Sequence, residues 1–334
     1  MRISRKHVVF IILFLIGLTG PLFQSIVYPV FLMKIWCYAL FACAFNLLLG
    51  YAGLLSFGHA AFLGSAAYFA GNLMMDYGST WMTPEVAVII ATLWAALLGL
   101  VFGWLAIRRH GIYFAMVTLA LAQFIYFLAL QMPQFTHGED GLQGVPRGMF
   151  LGLFNLAPDS HMYYFVYGVF VIGFWLTYRT IHSPFGQVLR AIRENEPRAV
   201  SLGYHVNRYK LLVFVISAAL SGMAGATKTL VFQLASLSDV HWHASGEVVL
   251  MTLLGGMGTV WGPVVGAAFV VSLQNYLGVV GSWVTVVTGV IFVLCVLVFR
   301  RGIVGEIIEV TRRVRKGRQG ADAGATPARS SSSP

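Results

Sequence analysis

The sequence predicts an all-α, polytopic membrane protein. Of its 334 residues, 58% are hydrophobic and only 10% are charged, and the mean hydropathy is +0.78. A soluble core of this size cannot bury so much apolar surface. Several stretches approach the roughly 20 apolar residues that a spanning helix needs, and none shows the alternation of a barrel strand. We therefore expect about 8 to 10 transmembrane helices.

The helices are expected where apolar runs are bounded by charged residues, glycine or proline. The first run follows basic residues and lacks the small-residue site at which a signal peptide is cleaved, so it predicts an uncleaved span. The run at 248–254 is too short to cross alone and predicts a short or broken helix. A polar, ordered outer loop is predicted at 131–162. The predicted segments are 8–27, 30–49, 50–71, 86–107, 112–130, 163–178, 211–232, 248–254, 260–280 and 284–299.

The basic residues predict the orientation. All of the 22 lysines and arginines except Lys34, Arg147 and Lys228 fall in segments that this order of spans places on one side. Because cytoplasmic loops are enriched in Lys and Arg, both termini are predicted to be cytoplasmic. The same asymmetry explains the net charge of +10 without nucleic acid as a partner. Residues 1–310 predict one membrane domain, and 311–334 predict a disordered, basic and Ser-rich cytoplasmic tail.

A polar stretch at 183–210 separates two long apolar runs. Charged residues alternate there with apolar ones at spacings that predict short amphipathic helices, broken near Pro197 and Gly203. Charge alone favours an ordinary basic loop attracted to anionic lipid. The order of the residues favours a docking element instead.

That order contains Ser183-Pro184-Phe185-Gly186, then Leu189 to Glu196, Arg198-Ala199 and Leu202-Gly203-Tyr204. It resembles the cytoplasmic loop of permeases in branched-chain amino acid ABC importers, most closely those of the LivM type. The resemblance extends over nearly the whole chain, through Gly53 to Phe62, Gly111 to Ala115, Phe214 to Ala226, Gly255 to Thr259 and Gly262-Pro263. At Thr136-His137-Gly138 the family pattern leads us to expect Thr-Gly-Gly.

The resemblance implies a multi-pass permease subunit of an ATP-driven importer in a bacterial inner membrane. It implies four kinds of partner: a homologous permease, two cytoplasmic ATPase subunits, a periplasmic or extracellular substrate-binding protein, and membrane lipid. ATP would be bound by the ATPase subunits, so no cofactor is expected in this chain. The loop at 183–210 would supply the coupling helix that sits in a groove of the ATPase. Its candidate residues are Arg190, Arg193, Glu194, Glu196, Ala199 and Gly203.

Two glycine-rich segments, 53–71 and 255–268, occupy comparable places in the two halves of the chain. Paired broken segments predict a translocation path. Small residues equally predict close helix packing, and both interpretations stay open. For His59, a packed hydrogen-bonding group is favoured over a ligand or a base. The candidate residues are Gly53, Ser56, Gly58, His59, Gly64, Gly255, Gly256, Gly258 and Gly262.

Neither a catalytic site nor a metal site is predicted, and the chain is not expected to be an enzyme. His241 and His243 have a spacing that suits a metal, but no third ligand converges on them. The stretch 222–229 mimics a phosphate loop without the glycine that should precede its lysine. Ser56 and Ser221 lack the frame of a hydrolase elbow. An intramembrane enzyme is therefore a remote alternative.

The acidic residues bear on the energy source and the substrate. All twelve are predicted in loops or at segment ends, so no membrane-centre carboxylate is left to carry a proton or a sodium ion. This disfavours a secondary transporter, which remains the second alternative. An uncharged path suits a neutral zwitterion with an apolar side chain. A urea or short-chain amide permease is the nearest alternative, because such permeases share the same loop and glycine-rich motifs.

Overall fold

The computed structural model describes residues 17, 28–78, 82–278, 284–298 and 302–306. The predicted first span at 8–27 and the predicted tail at 311–334 lie outside these residues, apart from Gly17. Within the described part of the chain, helices form nearly all of the regular structure, which confirms the all-α prediction.

The order of elements follows the predicted order of apolar runs. The long helices are α1 (Pro29–Asn46), α2 (His59–Tyr77), α3 (Pro84–Ala106), α4 (Ile112–Gln131), α6 (Asp159–His182), α9 (Val206–Phe232), α11 (Trp242–Gly255), α12 (Gly262–Leu277) and α13 (Val284–Val298). A π-helical segment, Leu47–Ala52, continues α1. The connecting elements are α5 (Pro133–Thr136), β1 (Leu142–Gln143), β2 (Met149–Phe150), β3 (Phe154–Asn155), α7 (Pro184–Glu194), α8 (Glu196–Ser201), β4 (Leu234–Ala235) and α10 (Leu237–Val240).

Five of these helices are long and apolar enough to cross a membrane: α1 with its π segment, α3, α4, α6 and α9. In the most apolar 18-residue stretch of α1 and of α9, 72% and 67% is buried inside the protein. In the corresponding stretches of the other three helices, 39% or less is buried. Helix α9 packs against α1, α2 and α3, and α1 also packs against α6, α11 and α12. The core is therefore built around α1 and α9, while α3, α4 and α6 leave broad apolar faces exposed, as helices facing lipid do.

Small residues let α9 approach its neighbours closely. A Cβ at Gly225 would meet the backbone of Leu63 in α2, and a Cβ at Gly222 would meet the side chain of Ala95 in α3. Side chains at these positions would hold the helices apart and forfeit the dispersion contacts that stabilise helix pairs in a membrane.

The loop at 131–162 contains short strands and is attached to the ends of the helices by hydrogen bonds. β1 pairs antiparallel with β4, which directly follows α9, and β2 pairs with β3. Arg147 donates to the carbonyls of Ala157 and Val231, both at 3.0 Å, and to Asp159 Oδ1 at 2.6 Å. One guanidinium thus joins the loop, the start of α6 and the end of α9.

His137 occupies a glycine-type backbone position in this loop. Its φ is +57°, in the left-handed region that L-residues rarely adopt. This position is the one where the family pattern led us to expect glycine. The conformation that such a glycine provides is therefore kept here by a histidine.

Candidate functional site

Helix α7 begins the predicted coupling loop and is strongly amphipathic. Ser183 caps it by accepting a hydrogen bond from the backbone N–H of Gly186 at 3.3 Å, and Pro184 fills the first turn, where no N–H is needed. Its buried residues are Gly186, Leu189 and Ile192, spaced three apart along one face. Glu194 is exposed, whereas Arg190 and Arg193 extend from the helix to contact a neighbouring segment.

The loop contains two breaks, one of which differs from the prediction. Asn195 ends α7, and its Oδ1 accepts from the N–H of Arg198 at 3.1 Å, so it caps α8. The break predicted near Pro197 is present and lies two residues earlier, because a proline lacks an N–H and fits the first turn of α8 without cost. The break at Gly203 is confirmed: its φ is +85°, and Tyr204 N–H donates back to the Ala199 carbonyl at 3.2 Å.

The candidate coupling residues Glu196 and Ala199 join α8 to neighbouring segments of the chain. Glu196 Oε1 accepts from Lys210 Nζ at 2.7 Å and lies 4.0 Å from His110 Nδ1, so it links α8 to α9. Ala199 is buried against Ile192 and Val206. Both residues fix the shape of the loop.

The outward surface of the loop includes apolar residues that sequence reasoning missed. Val200 and Leu202 are 57% and 69% exposed. Glu194 and Arg198 of the same loop are also exposed. A sequence signal was present, since two apolar residues stand among polar ones at the end of a helix too short to bury them all.

Arg190 and Arg193 reach from α7 to the π segment. The guanidinium of Arg190 lies 5.1 Å from the centre of the Tyr51 ring, in a cation–π contact. Arg193 Nη1 donates to the carbonyl of Gly50. The amphipathic loop is therefore joined directly to the end of α1, at the start of the first glycine-rich segment.

The first glycine-rich segment is broken between the π segment and α2. Gly53 has a φ of +72°, and residues 54–58 carry no helix. Ser56 is fully buried, and its Oγ accepts from Gly58 N–H at 3.1 Å. Thr118 of α4 holds the same stretch by accepting from Phe57 N–H at 3.2 Å. The break is thus a defined conformation held by two hydroxyl groups.

The second glycine-rich segment is broken between α11 and α12. Gly256 has a φ of +115° and Gly258 a φ of +73°, which favour glycine. Thr259 Oγ1 donates to the Gly256 carbonyl at 2.8 Å and accepts from Gly262 N–H at 3.0 Å. The predicted short helix before Gly255 is confirmed, although it begins at Trp242.

The second break contacts the end of α1 and the π segment, and a Cβ at Gly53 in the first break would lie 3.0 Å from Arg193 Cγ. Asn46 Oδ1 accepts from Gly258 N–H at 2.9 Å, and its Nδ2 donates to the Thr259 carbonyl at 2.9 Å. A Cβ at Gly258 would lie 3.2 Å from the Gly50 carbonyl oxygen and 3.3 Å from Arg193 Nη1. The coupling loop, the first break and the second break therefore meet around Arg193.

His59 is a packed hydrogen-bonding group at the start of α2. It is fully buried, and its Nε2 lies 2.8 Å from Ser217 Oγ. The Ser217 hydroxyl donates to the Ala44 carbonyl, so Nε2 must carry the proton that bonds to Ser217. The rings of Phe45 and Phe62 lie edge-on to the imidazole at 4.9 and 5.8 Å. This contact ties α2 to α9 and α1.

Three of the remaining candidate glycines lie where helices approach closely. A Cβ at Gly64 would meet the backbone of Asp239 before α11 at 2.8 Å. A Cβ at Gly255 would meet the backbone of Gly262, and one at Gly262 would lie 2.9 Å from the Gly255 carbonyl oxygen. These positions accept no side chain without a shift of backbone.

This part of the chain holds a buried ion pair and a carboxylate inside a helix. The carboxylate corrects one prediction about charge. Lys228 of α9 donates to Asp239, and their side chains are only 13% and 8% exposed. Glu247 lies inside α11, where its Oε1 accepts from Gln274 at 3.2 Å. The prediction that all carboxylates lie in loops or at segment ends is therefore wrong for Glu247. The prediction failed because the apolar run predicts helix only at 248–254, whereas α11 begins earlier, in a polar stretch.

The His-x-His pair has a local partner. His241 Nδ1 accepts from the backbone N–H of His243 at 3.4 Å and caps α11. Among the residues that the structure describes, no group of three His, Cys, Asp or Glu side chains could hold a metal ion.

Comparison with known proteins identifies the family. Residues 29–297 match the family model described as "Branched-chain amino acid transport system / permease component". The high-affinity branched-chain amino acid transport system permease protein LivM of Escherichia coli (strain K12) is 28% identical over 309 residues, which cover 86% of this chain and 71% of that protein. LivM of Salmonella typhimurium is 28% identical over 256 residues, 70% of this chain and 60% of that protein.

A more distant relative is the ribose import permease protein RbsC of Bacillus subtilis (strain 168), 31% identical over 170 residues, 48% of this chain and 50% of that protein. No solved structure matches the chain significantly. The family model covers most of the chain, including the coupling loop and both breaks. The chain is therefore a multi-pass membrane protein that belongs to the family of permease components of branched-chain amino acid transport systems.

Proposed function

We propose that this chain is the transmembrane permease subunit of an ATP-driven importer of branched-chain amino acids. It pairs with a homologous permease, two cytoplasmic ATPase subunits and a substrate-binding protein on the outer face. ATP is bound and hydrolysed by the ATPase subunits, and this chain catalyses no reaction of its own. The observation that carries the proposal is the meeting of the amphipathic loop with both glycine breaks around Arg193.

The loop has two faces with different tasks. Its outward face, with Val200 and Leu202, docks in a groove of the ATPase, where their apolar surface is removed from water. Glu194 and Arg198 lie at the rim of that contact. Its inward face, with Arg193, holds the π segment through the Gly50 carbonyl.

Movement of the docked loop then reaches both breaks together. A shift of α7 displaces Arg193, and through Gly50 it displaces the end of α1. Asn46 carries the shift to the second break through its two hydrogen bonds with Gly258 and Thr259. The rocking of two permeases against each other switches the path between outward and inward access.

Substrate passes beside the broken segments, where backbone groups and small side chains offer brief contacts. Gly53, Ser56, Gly58, Gly256 and Gly258 belong to the wall of this path. The Lys228–Asp239 pair neutralises itself and leaves no net charge for a charged side chain. A neutral zwitterion suits such a path, and the separate binding protein sets the affinity.

The orientation follows the basic residues, with both termini and the coupling loop in the cytoplasm. A single cysteine at Pro197, after the three native cysteines are replaced, should react with an impermeant thiol reagent only from the cytoplasmic side. Labelling from outside in intact cells would overturn the orientation.

The substrate is tested by deleting the gene and measuring uptake of labelled leucine, urea and glutamate at low external concentration. Selective loss of leucine uptake supports the proposal. Selective loss of urea uptake would replace it by the amide alternative, and loss of glutamate uptake alone would contradict the uncharged path.

The energy source is tested with the purified complex in liposomes. Uptake should require ATP and the ATPase subunits. Uptake driven by an ion gradient in their absence would show a secondary transporter instead.

A further inference from the structure

An apolar cavity of about 550 Å³ opens between the first halves of α3 and α6, beside the β2–β3 hairpin. None of the coupling or packing residues described above lines it. Its walls are almost entirely aliphatic and aromatic, and they include Val88, Phe150, Leu156, Phe165, Val169 and Met223. A cavity of this size is in the range that binds small ligands.

The polar groups of the cavity lie at one end. Glu85 stands in the first turn of α3 and His161 in the first turns of α6, next to the exposed loop. Along α6 the lining continues from His161 to Ile172, a rise of about 16 Å. One leaflet of a bilayer has a hydrocarbon depth of about 15 Å. The cavity thus has the length and polarity of one lipid molecule standing in a leaflet.

The polar end offers hydrogen-bond acceptors. Glu85 Oε1 accepts from Leu151 N–H at 2.9 Å, and its Oε2 has no hydrogen-bond partner among the described residues. His161 Nδ1 lies 2.9 Å from the Asn155 carbonyl, so Nδ1 carries the proton and Nε2 of the neutral ring is an acceptor. The matching ligand group is a cation with several N–H donors.

We propose that this cavity binds one phospholipid with a primary ammonium headgroup, phosphatidylethanolamine of the surrounding bilayer. Its ammonium pairs with Glu85, to which the soft terminal torsion of the side chain can turn either oxygen. One acyl chain lies along α6. A choline headgroup has no N–H to donate, and a glycerol headgroup has no positive charge to set against the carboxylate.

The cavity is open towards lipid. Ile89 and Ile172 at its edge are 57% and 58% exposed, as expected for side chains that face hydrocarbon. A helix of a partner permease could also cover this face. Apolar side chains from such a helix would remove the Glu85 carboxylate from water without supplying a counter-charge, which is costly. The lipid satisfies both the apolar walls and the carboxylate.

The test uses the full chain purified with its partner subunits in mild detergent. The complex is incubated with equal amounts of phosphatidylethanolamine, phosphatidylcholine and phosphatidylglycerol, and retained lipid is identified by native mass spectrometry. Wild type should retain one phosphatidylethanolamine per chain with a preference of about tenfold or more over phosphatidylcholine, the size expected for hydrogen bonds to a charged group. Glu85→Gln keeps an acceptor for Leu151 and should abolish most of this preference.

A second variant tests the position of the acyl chain. Gly168→Leu places a side chain in the cavity, where a Cβ meets nothing within 4 Å, and should remove the retained lipid. Gly289→Leu on α13 is the matched control, since its Cβ is equally free, and should retain it. If Gly168→Leu fails to assemble, Val169→Phe fills the same space.

Three results would overturn the proposal. The first is that wild type retains no lipid, which would indicate that a partner permease covers the cavity. The second is equal retention of phosphatidylethanolamine and phosphatidylcholine. The third is that the filled variants retain as much lipid as Gly289→Leu. Because the readout is bound lipid, none of these results depends on transport activity.

Discussion

Replacing Arg193 by glutamine removes the charge that joins α7 to the first break. The wild-type guanidinium donates to the Gly50 carbonyl and stands next to the position of a Cβ at Gly258. Hydrogen bonds from charged groups contribute about 1.5–3 kcal/mol, and the lower figure applies because the bond is only partly buried and solvent reaches the Arg193 side chain. A loss of about 1.4 kcal/mol corresponds to a factor of about ten in the equilibrium that couples the loop to the breaks.

The assay is transport by the purified complex in liposomes, measured together with ATP hydrolysis. We expect Arg193→Gln to bind the ATPase subunits normally but to transport several-fold to tenfold less substrate per ATP. Arg198→Gln is the matched control, because it removes a charge of the same sign from the outward face of the same loop. It should weaken ATPase binding at low salt and leave the transported amount per ATP unchanged.

The reasoning would be refuted if Arg193→Gln lost ATPase binding and kept its coupling ratio. Arg193 would then belong to the docking face. Identical behaviour of the two variants would also refute it, because only one of the two side chains touches the break.

Three further predictions concern packing, buried charge and the loop. Gly255→Ala should lower the melting temperature, whereas Gly246→Ala should not, since a Cβ at the first meets the backbone of α12 and one at the second meets nothing; equal melting curves would contradict close packing. Lys228→Met should destabilise the protein by roughly 3–5 kcal/mol, because Asp239 keeps a buried charge without a partner, and adding Asp239→Leu should restore most of the loss in thermal unfolding. Gly203→Leu should lower the free energy of unfolding by about 1–2 kcal/mol, because residue 203 has a left-handed backbone conformation; a Cβ there would meet no other atom. Gly203→Asn should lower it by less, and both variants are compared by unfolding and by ATPase binding.

The sequence was sufficient for the approximate positions of most long helices, although the predicted segment at 50–71 is interrupted at 53–58 and α11 begins at Trp242. The run at 86–107 predicted α3, which begins at Pro84 and ends at Ala106. Length, apolarity and flanking charge determine such segments locally, so no knowledge of the fold was needed. The amphipathic spacing in α7 was equally local, and its buried face was readable from the sequence.

Contacts between residues far apart in the sequence could not be predicted from local sequence patterns. Arg193 and Gly50 are 143 positions apart, and nothing in either segment indicates the other. The π segment after Asn46 was predicted as ordinary helix, because an apolar run has no signal for an extra residue in the turn. Asn46 belongs to the site because it makes two long-range hydrogen bonds to the second break. One hint of this role was present in the sequence, a single Asn in an apolar run.

Helix α9 has a mechanical consequence that follows from its continuity. It runs for 27 residues without a break, about 40 Å, from the coupling loop at one end to β4 at the other. At the far end, β4 pairs with β1, and Arg147 donates a hydrogen bond to the Val231 carbonyl. The loop at 131–162 is therefore attached to the end of α9. A continuous helix of this kind has no flexible point that could absorb a tilt. A tilt of α9 about a point near its middle must therefore displace its two ends in opposite directions.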